Sequence, residues 1–316
     1  MSEAMAPVPG VAPVAAAAGN RTMAAAGAIL IYAVIIGFTD NFVKVIAAEG
    51  GLWQFHAIRS VMALALFAVA APLLGLRLWP RNPRAVAARS LVHGTAMLFY
   101  FGSLAFLPVA VVAAGLFTAP IFVLLLSRFA FGEAIGPFRI LAVALGFLGT
   151  LMVLDPGEGS LSPVLIAPVI GGFLYALGNI ATRRWCAGES AETLVAGFFG
   201  MLGIYGVIGM AVLALAAPEV PGGAAGFVLR GWVWPSAGFM GWTFVQAAGS
   251  LLGILMMVKG YQMAEASRAA VFEYTILPCA AFWSWFLWGE MLGGRALLGI
   301  VLIVAAGALI AARSRA

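Results

Sequence analysis

The chain has 316 residues, of which 64% are hydrophobic and only 9% charged, and its mean hydropathy is +1.07. Soluble domains cover themselves with about 25% charged residues, so this composition excludes a soluble globular fold and demands a surface that faces lipid. The net charge of +5 is a matter of topology, because its arginines fall in alternate loops.

The opening segment, MSEAMAPVPGVAPVAAAAGNRT, is rich in Ala, Pro and Val. It lacks the basic start of a signal peptide and reads as a disordered tail over residues 1–22. Ten apolar runs follow, near 24–45, 53–75, 86–107, 109–131, 136–154, 163–182, 192–216, 236–258, 267–288 and 294–312. Each has about the ~20 residues that a spanning helix needs. They are apolar on all sides, unlike the alternating ~10-residue strands of a membrane barrel. The expected fold is therefore all-α and integral to the membrane, with ten transmembrane helices.

Lys and Arg concentrate on one side: Arg21; Arg77, Arg81, Arg84 and Arg89; Arg139; Arg183 and Arg184; Lys259 and Arg268; Arg313 and Arg315. The other side has Arg230 and Arg295 in its loops. Positive charge stays inside, so both termini are expected in the cytoplasm of a bacterial-type inner membrane. Nucleic acid is not an expected partner; a small solute and the bilayer are. Whether the chain is a monomer or a homodimer is open. Cys186 and Cys279 suggest neither a disulfide framework nor a metal site, and no cofactor is expected.

Two segments resemble each other. One runs from Leu104 through Pro120 and Gly132-Glu133, the other from Tyr261 through Pro278 and Gly289-Glu290, and each ends in a Gly-bearing helix. They divide the chain into repeats at 23–155 and 160–313. Five spans is an odd number, so the repeats must be inverted with respect to each other, an arrangement found in secondary transporters with a site near the midplane. The prolines are expected to bend the fourth and ninth helices around that site. The two Gly-Glu acids read as structural groups of the turns. This twice-occurring pattern, with the opening FTDNFVKVIA…QFHAIRS, resembles the drug/metabolite transporter superfamily and its EamA-type members. The resemblance implies a transporter of amino acids, other metabolites or vitamins, and leaves the solute and the direction open, with export favoured.

Charges within a span are expensive and face a cavity or a partner. Asp40 and Lys44 share a face at i and i+4, with Asn41 beside them; His56 and Arg59 share a face at i and i+3. These five are expected at the outer mouth of a central cavity, binding the charged ends of a zwitterionic or anionic solute. The alternative is a satisfied Asp40–Lys44 pair with Lys44 and Arg59 snorkelling. Deeper candidates are His93 and Tyr100, Tyr175 and Asn179, Gln246, and Tyr274. Glu273 and Asp40 are candidates for proton coupling, unless Glu273 is ion-paired to Arg268 or Lys259. Trp242 shares a face with Gln246 and is a candidate wall for a flat solute. Trp53, Trp79, Trp232 and Trp234 sit at span ends, as interfacial tryptophans do. Glycines at 197, 200, 203, 206 and 209 predict close helix packing.

No GxxxxGK[ST] loop occurs, so the chain is not expected to hydrolyse ATP. Its twelve acids are scattered, and no Gly-x-Ser-Gly nucleophile is present, which argues against a membrane enzyme. A structural or sensory membrane protein is the remaining alternative to a transporter.

Overall fold

A computed structural model of the chain describes residues 14–103, 107, 109–154, 166–222, 226–289, 291 and 293–313. Every regular element among them is an α-helix. The first rod is interrupted, with α1 (Val14–Asp40) followed by α2 (Val43–Glu49). Then come α3 (Leu52–Leu74) and α4 (Pro83–Ser103), a second interrupted rod of α5 (Val109–Leu116) and α6 (Ala119–Phe129), and α7 (Pro137–Leu154). The second half holds α8 (Ile166–Arg184), α9 (Ala191–Ala216), the short α10 (Gly226–Leu229) and α11 (Ala237–Met263). A third interrupted rod, α12 (Ala266–Glu273) with α13 (Ile276–Trp288), precedes α14 (Gly294–Arg313). The segment expected as a tail is therefore helical from Val14 onward, and residues 1–13 lie outside the described residues.

Seven stretches among the described residues are long and apolar enough to cross a membrane, and Pro137–Val153 is apolar but shorter. The helices α4 and α8 are less apolar because they carry polar groups inward: Arg89, Ser90 and His93 on α4, and Asn179 and Thr182 on α8, all buried. Large apolar side chains such as Val61, Val69 and Val301 point outward instead. A polar interior inside an apolar exterior fits an integral membrane protein.

The interruptions come at the polar residues. Between α1 and α2 the Asn41 amide donates to the Gly37 carbonyl at 2.6 Å, satisfying an acceptor that the broken helix leaves behind. Thr118 ends α5 with its hydroxyl on the Gly115 carbonyl at 2.6 Å, and Thr275 ends α12 with its hydroxyl on the Phe272 carbonyl, also at 2.6 Å. The starts of α5 and α7, at 109 and 137, recur in α12 and α14 at 266 and 294. Both prolines fall elsewhere than expected. Pro120 and Pro278 lie in the first turns of α6 and α13, where the missing N–H has no helical partner to lose. The helices break just ahead of the prolines and do not kink at them.

Glycines set the close approaches. A Cβ on Gly206 would stand 2.6 Å from the Ala57 nitrogen and the Trp53 oxygen, so α9 lies directly on the backbone of α3. Gly149 of α7 meets Gly299 of α14 in the same way, and Gly253 and Gly260 of α11 meet Ile36 and Ile29 of α1. Without a hydrophobic drive between helices in lipid, such small-residue contacts supply dispersion and allow tight packing.

Polar contacts close both ends of the bundle. At the arginine-rich end Glu133 pairs with Arg184 at 2.7 Å, Arg139 with Glu265 at 2.5 Å, and Lys259 with Glu192 at 3.1 Å. Glu133 thus holds an arginine; Glu290 lies outside the described residues. At the other end Arg230 donates to the carbonyls of Ala47 and Gly50 at 3.0 and 2.9 Å. Trp79 and Trp234 are exposed as span-end residues, but Trp53 is half-buried and its indole donates to the Val228 carbonyl at 2.9 Å.

Arg89 corrects the loop assignment. It is fully buried in α4, donating to Thr182 Oγ1 and the Leu194 carbonyl, each at 3.1 Å. It ties α4 to α8 and α9. Arg89→Ala strands both acceptors at about 1–3 kcal/mol each, so a fall of several degrees in melting temperature is expected in detergent. An unchanged melting curve rejects that structural role.

Candidate functional site

A cavity of about 740 Å³, counting its mouth, lies between the interrupted rods and α3, α4, α8, α9 and α11. Each helix reaches it with one stripe. On α1 the stripe is Tyr32, Ile36 and Asp40; on α11 it is Gln246, Ser250, Ile254 and Met257. Spacings of three and four place such residues on one face of a helix. Leu116 and Phe117 come from the break between α5 and α6, and Glu273 and Ile276 from the break between α12 and α13.

The cavity has two polar poles. At one, Gln246 Nε2 donates to Asp40 Oδ1 at 3.0 Å, and Arg59 Nη1 donates to Gln246 Oε1 at 3.1 Å. An amide therefore stands between an acid and a base, using its donor on one and its acceptor on the other. Arg59 Nη2 lies 3.4 Å from His56 Nδ1, and the guanidinium sits over the rings of Phe55 and Phe101 at 4.9 and 5.5 Å. Those faces stabilise a cation removed from water. At the other pole, Glu273 Oε1 accepts a short bond from the Tyr261 hydroxyl and one from Asn179 Nδ2 at 3.2 Å. Above it Tyr175 donates to Met257 Sδ at 2.8 Å and lies 3.4 Å, oxygen to oxygen, from Tyr32. The His93 ring stands edge-on to Tyr175 at 4.8 Å and to Phe198 at 5.3 Å.

Most of the expected site residues come together here. Asp40, Arg59, His93, Tyr100, Tyr175, Gln246 and Glu273 line the cavity, while His56 and Asn179 back it through Arg59 and Glu273. Three do not. Asn41 turns its amide to the backbone of its own helix. Trp242 stacks on Phe42 with ring centroids 4.0 Å apart, in a separate apolar cluster near α2 and α3. Tyr274 is fully buried where any side chain on Gly146 would stand. The side chain of Lys44 lies outside the described residues. Asp40 bonds to Gln246, and Arg59 is buried on the cavity wall, so it does not snorkel.

The expected alternative for Glu273 fails on geometry. Arg268 is bound to Glu265 at 3.3 Å and Lys259 to Glu192 at 3.1 Å. Sequence reasoning missed Tyr32 and Tyr261. The signal was present: Tyr32 is two turns before Asp40, and Tyr261 is one turn beyond Met257.

Residues 23–155 match the EamA-like transporter family. Among curated relatives, a riboflavin transporter of Rhizobium johnstonii is 27% identical over 210 residues, which are 66% of this chain and 63% of that protein. This chain therefore spans less than two thirds of the length of that relative. An S-adenosylmethionine uptake transporter of Rickettsia bellii is 24% identical over 216 residues, 66% of this chain and 68% of that one. A solved crystal structure with 19% identity superposes with a TM-score of 0.74, covering 94% of this chain and 99% of the other, which shows a common fold.

Proposed function

We propose, from the premise that this chain belongs to the drug/metabolite transporter superfamily and carries an EamA-like domain, that it is a secondary transporter of a small polar or amphipathic metabolite. It works in the inner membrane, by alternating access of the central cavity. The observation that carries the reading is the Asp40–Gln246–Arg59 bridge. The bridge fixes Asp40 of α1 to Gln246 of α11, while His93, Tyr100 and Tyr175 line the cavity from α4 and α8, so the lining changes when these two groups of helices shift.

We take each interrupted rod as one crossing and leave α10 outside, which gives ten crossings among the described helices, and we place both termini on the arginine-rich side, as the cytoplasmic one. The equal spacing of α5 and α7 from α12 and α14 supports two inverted repeats at 23–155 and 160–313. The moving units are not the repeats themselves. The most extensive contacts pair α7 with α14, α1 with α11, α3 with α9, and α4 with α8, each across the two halves. We therefore assign the movement to mixed groups, α1 with α11–α13 against α4–α6 with α8, turning on the α3–α9 and α7–α14 seams. Asp40 and Glu273 are the carboxyls through which a proton gradient would drive it.

The family resemblance favours export. Import is the second reading, supported by a relative named for uptake. Cells overexpressing the chain, compared by metabolite accumulation, test both: export depletes the solute and import enriches it. Asp40→Asn and Glu273→Gln are each expected to reduce the flux by about tenfold, the equivalent of one charged hydrogen bond. Normal flux in both variants removes the site assignment.

A further inference from the structure

Among the described residues, three groups with a formal charge face the cavity: Asp40, Arg59 and Glu273. The first two offset each other through Gln246. Glu273 has no such counterpart. Its partners are a hydroxyl and an amide, Tyr261 and Asn179, and among the described residues no Lys or Arg comes within ion-pair distance of it. Arg268 is paired with Glu265 and Lys259 with Glu192, and Arg89 spends its Nε and Nη1 on Thr182 and the Leu194 carbonyl, leaving Nη2 without a partner. Asn179 Oδ1 is buried beside Glu273 with no donor. This pole thus holds a buried carboxyl without a cation and, beside it, an amide oxygen without a donor.

A buried carboxylate without a cation is strongly disfavoured unless something positive reaches it. The walls next to the pole are ring faces and edges: Tyr32, Tyr175, His93, Phe117 and Phe198. Aromatic faces hold flat groups and attract cations. Arg59 at the far pole keeps its Nε without a partner while its terminal nitrogens face Gln246 and His56, and an anion drawn to it would share the cavity with Asp40 and Glu273.

We infer that the solute bound in this cavity is a flat organic cation carrying N–H donors, with its positive group against Glu273 and Asn179 and its ring among Tyr32, Tyr175 and Phe117. This rests on the reading of the cavity as the solute site, and it names the class of solute. It differs from the zwitterionic or anionic solute expected from the sequence, because Arg59 is a buried wall residue bonded to Gln246.

Three planar isosteres separate charge from shape: benzamidine is a cation at neutral pH, benzamide is neutral and benzoate is an anion. Their binding to the full chain purified in detergent is followed by tryptophan fluorescence. Benzamidine is expected to bind about tenfold more tightly than benzamide, as a charged hydrogen bond requires, with benzoate the weakest. In Glu273→Gln the gap between benzamidine and benzamide closes to about threefold or less, and an unaltered size-exclusion profile shows that the variant is folded. The inference is overturned if benzamide or benzoate matches benzamidine, if none of the three binds, or if the gap survives Glu273→Gln. Ala119→Trp, which fills the cavity wall, separates the two levels. It should abolish benzamide binding, and undiminished binding in that variant overturns the cavity as the solute site.

Discussion

Gln246→Leu is expected to lower transport by about a hundredfold or more, because removing the partner of a buried charge costs about 3–5 kcal/mol. The side chain sits between Asp40 and Arg59 and is the shared partner of both. Leucine fills a similar volume but leaves the acid and the base buried and facing each other across an apolar group. Either they collapse into a direct pair, which closes that pole, or they stay apart and destabilise it. Both outcomes remove the link between the two halves at the cavity. Gln246→Asn keeps the amide but shortens its reach, so it should fall between Gln246→Leu and the unaltered chain. Initial rates of solute flux in proteoliposomes, normalised to folded protein, measure the series. A Gln246→Leu variant within twofold of the unaltered chain would show that the bridge is incidental.

The second large effect concerns stability. Gly206→Val should prevent accumulation of monodisperse protein, while Gly200→Val, where a new Cβ meets open space, should behave as the unaltered chain. At position 206 a new Cβ would meet the Ala57 nitrogen and the Trp53 oxygen at 2.6 Å, and backbone atoms cannot move aside as a flexible side chain does. Overpacking a core typically costs about 1–3 kcal/mol and occasionally more, and here the whole α3–α9 seam must open to absorb it. At Gly200 nothing lies within 4 Å. Both glycines belong to the same regular pattern in sequence, so the pair tests whether contact or composition sets the sensitivity. Size-exclusion profiles of fluorescent fusions decide it; equal behaviour of the two variants would refute the contact argument.

The long apolar stretches are legible in the sequence because lipid leaves a backbone no alternative to helix. The cavity is partly legible for a related reason. A polar residue inside an apolar run needs a partner, and that rule picks out Asp40, Arg59, His93, Gln246 and Glu273, all of which line the cavity. It cannot say which partner is chosen. Asn41 met it with a carbonyl one turn back in its own helix. Trp242, whose spacing from Gln246 is right, found Phe42 at a different depth along α11. Spacing fixes a face, while the neighbour at that height is a tertiary property. Tyr32 and Tyr261 went unread because one tyrosine in an apolar helix carries no cost that demands explanation; only the stripe through Asp40 or Met257 reveals it. The breaks ahead of Pro120 and Pro278 were hidden because a proline in sequence does not tell whether it bends a helix or begins one.

The contact of Gly149 with Gly299 bears on biogenesis. Until α14 is synthesised, the Gly149 contact of α7 has no partner, and α3 likewise waits for α9. A nascent first half is therefore a set of inserted but unpaired spans, not a finished subunit. Quality-control proteases that survey the bilayer would meet the chain in that state, and a premature stop ahead of α14 should be degraded even though every lining residue named for the cavity has been made.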